Sequence, residues 1–167
     1  MKVAVLMGGS SSEREVSLKS GAQVAAALRR LGHEVMVIDP AANGLNALSD
    51  FNPDAVFIAL HGRFGEDGCI QGALEMMGLR YTGSSVLSSA IAMDKTISKA
   101  LFDMSGIPTP PYVVVSRRHD PRSALELALG VGIPCVVKPS SQGSTVGISI
   151  VKESSALEEA LKIALDH

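Results

Sequence analysis

One stretch of the chain, residues 136–151, reads V-V-K-P-S-S-Q-G-S-T-V-G-I-S-I-V and places Lys138 between two apolar segments. Val136 and Val137 are predicted to lie in a buried strand, and residues 147–151 to form the strand that returns beside it. The small polar residues between them, 140–145, then form a flexible turn whose backbone amides can bind an anion. Phosphate oxygens suit such amides.

Glycine residues and hydroxyl side chains make this turn suitable for binding phosphate. Gly143 and Gly147 let the backbone approach a ligand closely, while serine and threonine hydroxyls add short donors. Lys138 adds a compact positive charge at the strand end. The stretch matches neither G-x-x-x-x-G-K-[ST] nor G-x-G-x-x-G. On spacing alone, a hairpin whose lysine stem lies along apolar surface is as well supported as a phosphate-binding loop.

The composition is that of a globular protein. Of the 167 residues, 46% are hydrophobic, which is enough for a sizeable core in one or two domains. The 15 Lys and Arg residues nearly balance the 17 Asp and Glu residues, and no basic run is present, which argues against nucleic acid as a partner. Cys69 and Cys135 stand apart, so neither a zinc site nor a disulfide framework is predicted. No apolar run reaches the length of a membrane span, and we expect a cytoplasmic protein.

Short apolar runs alternate with helical patterns over the first part of the chain. We predict strands at residues 2–7, 34–39, 54–60 and 79–82, with helices between them. This order predicts an α/β fold with a doubly wound parallel sheet. The segment H-G-R-F-G-E-D-G, residues 61–68, follows the third strand, at the edge where open α/β sheets bind ligands.

Two residues of this first part have competing interpretations. Ser10 with Glu13, and Ser12 with Glu15, have the spacing of a capping box, so spacing alone makes Glu13 a helix-capping residue. A lone histidine such as His61 commonly satisfies loop carbonyls, but its position after an apolar strand makes a functional role equally well supported.

The pattern changes near Asp94. A helix there ends at Gly106, and the rigid sequence I-P-T-P-P follows at residues 107–111. We therefore expect two domains, residues 1–93 and 94–167. In the second we predict a strand at residues 112–116, a helix at 122–129, the two strands around Lys138, and a final helix capped by Ser154.

Six motifs resemble, in the same order, those of the D-alanine-D-alanine ligases, ATP-grasp enzymes of bacterial cell-wall synthesis. They are G-G-S-S-S-E-R-E-V-S-L-K-S-G at residues 8–21, A-L-H-G-R-F-G-E-D-G at 59–68, Y-T-G-S at 81–84, A-M-D-K at 92–95, G-I-P-T-P at 106–110 and V-K-P-S-S-Q-G-S-T-V-G at 137–147. They span nearly the whole chain, and six motifs in order are far more specific than any one alone.

The resemblance implies a fold, a reaction and a set of site residues. The fold is a Rossmann-like pre-ATP-grasp domain followed by the first part of an α+β ATP-grasp domain. In the reaction, one D-alanine carboxylate attacks the γ-phosphate of ATP, and the amine of a second D-alanine displaces phosphate from the acylphosphate. Glu13 is expected to hold the first ammonium, and the lysines to offset phosphate charge. The implied residues are Glu13 and Ser144 for catalysis, His61 and Ser17 for substrate, and Lys95, Lys138 and Gly143 for ATP.

The family's members are much longer than this chain, and the resemblance places their Mg²⁺ ligands outside it. Because phosphoryl transfer between anions needs metal ions and a cationic clamp, we expect this chain by itself not to turn over. A homodimer through the amino-terminal domain is also implied. Two alternatives stay open: a non-catalytic binding or dimerisation module, and another ATP-grasp ligase that joins a different acid and amine.

Overall fold

The computed structural model describes residues 1–143 and 145–167. These residues fall into two units, Met1–Ala92 and Met93–His167. None of the helices in the described part of the chain is both long enough and apolar enough to cross a membrane.

The first unit is built on a parallel sheet. Its elements are β1 (Lys2–Leu6), α1 (Arg14–Arg30), β2 (Glu34–Ile38), α2 (Pro40–Asn43), α3 (Asn46–Phe51), β3 (Ala55–Ile58), α4 (Cys69–Met76) and α5 (Val86–Met93). The strand order is β2-β1-β3. Both neighbours run parallel to β1, with Val5 opposite Val37 on one side and Phe57 on the other. The apolar run of β1 suits this central position, because a central strand is buried on both faces.

Helices cover both faces of this sheet. On one face, Ala4 and Leu6 of β1 pack in a fully buried cluster with Leu74 of α4. On the other face, Val5 packs with Ala25 of α1. Since successive side chains of a strand point to opposite faces, the single apolar run of β1 contributes to two cores. The predicted α/β fold with a parallel sheet is confirmed.

The predicted fourth strand at residues 79–82 is reduced to one parallel bridge between Tyr81 and Val56. The Val56 amide donates to the carbonyl of Arg80 at 2.8 Å, and the Thr82 amide donates to the carbonyl of Val56 at 3.0 Å. The Ile58 amide then donates to the Thr82 hydroxyl at 3.1 Å. A side-chain oxygen takes the place of a main-chain carbonyl there, so the ladder ends.

The predicted capping boxes at the start of α1 do not form. The helix begins at Arg14, and Glu13 is the N-cap residue without a side-chain capping hydrogen bond. Ser11 closes the preceding turn instead: its hydroxyl accepts from the Glu13 amide at 3.2 Å and donates to the carbonyl of His61 at 2.8 Å. The bond to His61 joins residues 50 positions apart, so a tertiary contact that local spacing does not reveal selects Ser11.

The second unit combines helices with a short antiparallel hairpin. Its elements are α6 (Lys95–Met104), α7 (Pro121–Leu129), β4 (Cys135–Val137), β5 (Ser149–Val151), a 3₁₀ turn (Ser154–Ala156) and α8 (Leu157–Leu165). Val136 lies opposite Ile150 in the hairpin, so the two strands predicted around Lys138 are confirmed. Val151 and Leu157 belong to the buried core of this unit.

Two local predictions for the second unit are wrong. No strand forms at residues 112–116, although the valines there favour one, because a strand needs a partner and no described strand pairs with this segment. Val113 and Val114 are instead 40% and 46% exposed. Ser154 begins the 3₁₀ turn and does not cap α8, which starts at the fully buried Leu157. Core packing of Leu157 therefore sets the start of this helix.

Candidate functional site

One buried hydroxyl ties the first turn of α1 to the ends of two strands. The Gly8 amide donates to Ser17 Oγ at 2.8 Å, and Ser17 Oγ donates to the carbonyl of Ala59 at 2.6 Å. Ser17 has no exposed surface. Because its hydroxyl hydrogen is used by a backbone carbonyl, Ser17 holds the loops after β1 and β3 together and does not face solvent.

Glu13 lies where this junction meets the loop after β3. Only 8% of its surface is exposed. Its carboxylate packs against Gly62: a Cβ added to Gly62 would lie 2.5 Å from Glu13 Oε2. Gly62 also has a φ of +64°, a conformation that glycine adopts without steric cost. The absence of a side chain at Gly62 therefore makes the space that the Glu13 carboxylate occupies.

His61 follows β3 and has a partner at each ring nitrogen. Ser20 Oγ lies 3.2 Å from Nε2, and Glu66 Oε1 lies 3.5 Å from Nδ1. The other Glu66 oxygen accepts the Gly62 amide at 2.8 Å. A carboxylate can only accept hydrogen bonds, so the Glu66 contact favours a proton on Nδ1. The first unit thus brings Glu13, Ser17 and His61 to one edge of its sheet.

A cavity of about 290 Å³ opens beside His61. Its walls are largely apolar and include Leu60, Phe64 and Ile70. Glu13 and Ser17 do not line it. Of the three predicted site residues in the first unit, His61 therefore lines this cavity, whereas Glu13 and Ser17 do not.

An ion pair braces the loop after β1. Arg14 Nη2 lies 2.6 Å from Asp39 Oδ2, and Asp39 Oδ1 accepts the amides of Gly9 and Ala41, each at 3.0 Å. The hydrogen bond from Arg14 lowers the pKa of the Asp39 carboxyl, against the opposing effect of burial. Asp39 therefore stays charged and connects the loop after β1 to α2.

Lys95 lies at the start of α6 in the second unit. Asp94 caps this helix, because its carboxylate accepts the amides of Thr96 and Ile97. The Lys95 ammonium donates to the carbonyl of Gln142 at 2.6 Å and, more weakly, to that of Ser140 at 3.4 Å. Burial lowers the pKa of Lys95, the nearby Lys138 lowers it further, and Asp94 acts in the opposite direction. An anion placed here would relieve the repulsion between the two lysines.

Both lysines line a cavity of about 840 Å³. Its walls include the extended segment after α6, the hairpin strand β4, and Ser140 and Ser141 of the turn. No described residue forms a hydrogen bond or an ion pair with the Lys138 ammonium. In ordinary proteins a cavity of this size holds a small molecule or cofactor, and the two ammonium groups favour an anionic one.

One of the predicted residues, Gly143, belongs to the turn beside this cavity. The Gly143 carbonyl accepts the Val146 amide at 3.1 Å, and Gly143 is not among the cavity-lining residues. Ser144 lies outside the described residues. The second unit therefore brings Lys95 and Lys138 together, with Gly143 in the adjoining turn.

The sequence matches two family profiles. The profile "D-ala D-ala ligase N-terminus" matches residues 2–49 and 43–84, and the profile "D-ala D-ala ligase C-terminus" matches residues 101–167. A D-alanine--D-alanine ligase of Moorella thermoacetica is 50% identical over 171 residues, which covers 100% of this chain and 55% of that relative. The chain belongs to the D-alanine-D-alanine ligase family.

Solved structures of the ligase family agree with this assignment. A crystal structure of D-alanine--D-alanine ligase from Bacillus anthracis superposes with a TM-score of 0.83 at 38% identity, covering 99% of this chain and 54% of that one. The same ligase complexed with ATP gives a TM-score of 0.80 at 35% identity, covering 99% and 55%. The chain spans about half the length of the curated ligases it matches.

Sequence reasoning missed several residues that shape these ligase-family sites. Ser20 and Glu66 hold the His61 ring, and Gly62 makes room for Glu13. The sequence could have indicated Glu66 as a partner of His61, because it lies five residues after His61 in the same glycine-rich loop. Lys99 also lines the larger cavity, one helical turn after Lys95. Nothing in the residues around Ser20 indicates a contact with His61, since serines are common on the exposed surfaces of helices.

Proposed function

We propose that this chain is part of an enzyme that joins two D-alanines to D-alanyl-D-alanine at the expense of ATP, for peptidoglycan synthesis. One observation carries the proposal: Lys95 and Lys138 line one large cavity, and burial together with the nearby Lys138 charge lowers the pKa of Lys95, so an anion bound there would stabilise the charged form of Lys95. The family supplies the anion, since the Bacillus anthracis relative is described in complex with ATP.

The proposed reaction has two steps. A carboxylate oxygen of the first D-alanine attacks the γ-phosphorus of ATP, ADP leaves, and an acylphosphate forms. The amine nitrogen of the second D-alanine then attacks the acyl carbon, inorganic phosphate leaves, and the amine loses a proton. Lys95 and Lys138 would stabilise the phosphate oxygens through fixed positive charge, which is most effective where water is excluded.

On the amino-acid side, Glu13 would hold the ammonium of the first D-alanine. Its carboxylate is nearly buried, and a charge-assisted hydrogen bond is strongest away from water. His61 would face the first carboxylate, with Ser20 and Glu66 setting the orientation of its ring. Ser17, whose hydroxyl is used by backbone groups, would act by holding the loops that carry Glu13 and His61. We also propose Ser144 as a catalytic residue of the complete ligase.

Mg²⁺ is part of the proposal for the complete ligase. Within the described residues, no group of three His, Cys, Asp or Glu side chains is arranged to hold a metal ion, so no step is assigned to the metal here. We further propose that the 167-residue chain does not turn over by itself, that the complete ligase is a homodimer through its amino-terminal domain, and that it is cytoplasmic.

Paired substitutions in the complete ligase test the proposed amino-acid and nucleotide residues separately. Glu13→Gln should raise KM for D-alanine at least about tenfold and leave KM for ATP nearly unchanged, because it removes the charge partner of an ammonium. Lys138→Ala should raise KM for ATP and leave KM for D-alanine nearly unchanged. Glu15→Gln and Lys152→Ala are matched controls, since both residues are exposed. Phosphate release at varied substrate concentration measures both constants, and equal losses in both constants for either site variant would refute its role.

A further inference from the structure

One face of α6 carries charged residues at a spacing of four, Lys95, Lys99 and Asp103. Residues four apart on a helix are neighbours. Lys95 contacts the turn that carries Ser140 and Gln142. The other two contact the extended segment that follows the helix. The helix therefore touches two walls of the larger cavity.

The Lys99 ammonium is held by three groups of that segment. It donates to Thr109 Oγ1 at 2.5 Å and to the carbonyl of Pro110 at 2.9 Å. It also lies 4.9 Å from the centre of the Tyr112 ring, within range of a cation–π interaction. An ammonium has three hydrogens, so the two hydrogen bonds use two of them while the charge faces the Tyr112 ring. Lys99 differs in this respect from Lys138, although both line the cavity.

Tyr112 is fixed from a second side by the same helix. Its hydroxyl donates to Asp103 Oδ2 at 3.0 Å, and this hydrogen bond raises the pKa of the Tyr112 phenol. Tyr112 therefore lies against α6 with its ring facing Lys99 and its hydroxyl on Asp103. We call Lys99, Asp103 and Tyr112 the α6 clamp.

The clamped segment needs such an anchor. Residues Pro110 to Ser116 line the cavity, yet no described strand pairs with them. Val113 and Val114 are about half exposed. A segment without ladder hydrogen bonds and with little buried apolar surface opens at low free-energy cost. The α6 clamp supplies the polar contacts that such a segment otherwise lacks.

We propose that Lys99 is a positioning residue for the nucleotide: through the α6 clamp it holds the cavity wall formed by residues 110–116 in its binding-competent position. We assign Lys99 no phosphate contact, because two of its three hydrogens are donated to Thr109 and Pro110 and its ammonium lies over the Tyr112 ring. This inference rests on the proposed nucleotide site. If loss of the clamp leaves the wall in place for only a tenth of the time, the apparent affinity for nucleotide falls about tenfold.

Lys99→Met tests the proposal, because methionine keeps an unbranched stem and removes the ammonium. Tyr112→Leu removes the ring that faces Lys99 and the hydroxyl that donates to Asp103. Lys162→Met is the matched control: Lys162 is exposed, pairs with Glu158 on α8 and does not line the cavity. Two measurements are made on each variant: backbone hydrogen exchange of the 167-residue chain without ligand, and ATP affinity of the complete ligase by titration calorimetry.

Both clamp variants should raise exchange in residues 110–116 without raising it in α7 or α8, and both should weaken ATP binding about tenfold. Lys162→Met should change neither. Unchanged exchange in residues 110–116 would overturn the clamp. Faster exchange with unaltered ATP affinity would overturn the positioning role. If the unaltered complete ligase binds no ATP, the proposed nucleotide site fails and the positioning role fails with it, while the exchange data still decide whether the clamp exists.

Discussion

The contact between Gly62 and Glu13 predicts that Gly62→Ala damages D-alanine use far more than stability. A Cβ at Gly62 would lie 2.5 Å from Glu13 Oε2, and ordinary contact begins near 3.4 Å, so the carboxylate must move by about 0.9 Å. Because Oε2 is the far end of a flexible side chain, this movement costs little stability. A misplacement of about 1 Å in a reacting constellation can cost about a hundredfold in rate.

A matched control variant separates the cost of backbone strain from the effect of moving the Glu13 carboxylate. Alanine at a φ of +64° costs about 1 to 2 kcal/mol of stability. Gly78 has a φ of +69° with nothing within 4 Å of an added Cβ, so Gly78→Ala has the same backbone strain without a displaced carboxylate. Urea unfolding of the chain should therefore give similar losses of stability for both variants.

The functional assay uses the complete ligase. Gly62→Ala should lower kcat/KM for D-alanine about a hundredfold with KM for ATP nearly unchanged, while Gly78→Ala should leave both close to the original values. Adding Glu13→Asp, which shortens the side chain, should restore part of the activity lost in Gly62→Ala. Equal kcat/KM in Gly62→Ala and Gly78→Ala would show that Gly62 does not set the position of Glu13. The same conclusion would follow if the double variant lost activity by the product of the losses in Gly62→Ala and Glu13→Asp alone, because the two changes would then be independent.

Other predictions follow from buried and charged groups of the first unit. Ser17→Ala should destabilise the chain by about 1 to 3 kcal/mol in urea unfolding, because it leaves the buried Gly8 amide and Ala59 carbonyl without partners. The exposed Ser88→Ala should change stability by less than about 0.5 kcal/mol, and similar losses in the two variants would contradict the role of Ser17. Asp39→Asn should lower stability at neutral pH, since the folded pKa of Asp39 is depressed. That deficit should shrink as the pH falls from about 4 through the folded pKa, and a deficit independent of pH would refute the argument.

The sheet of the first unit was predictable because its signals are local. Runs of apolar residues bounded by glycine indicate strands, and their alternation with helical periods indicates a parallel sheet. Lys138 at the end of β4, between two strands that pair in the structure, was recognised in the same way. The strand expected at residues 112–116 failed because a valine-rich run does not reveal whether a pairing partner exists.

The sequence by itself determined the family, the alternation of the first three strands with helices, and the types of residue available for chemistry, because motif order, periodicity and composition are properties of the chain alone. Only the tertiary structure decided that Ser11 and not Ser10 closes the turn before α1, that Ser17 is used by two backbone groups, that Gly62 accommodates Glu13, and that Lys99 and Lys138 differ in their contacts. Each of these depends on atoms of residues distant in sequence, and local spacing carries no information about which distant carbonyl, amide or ring a side chain will meet.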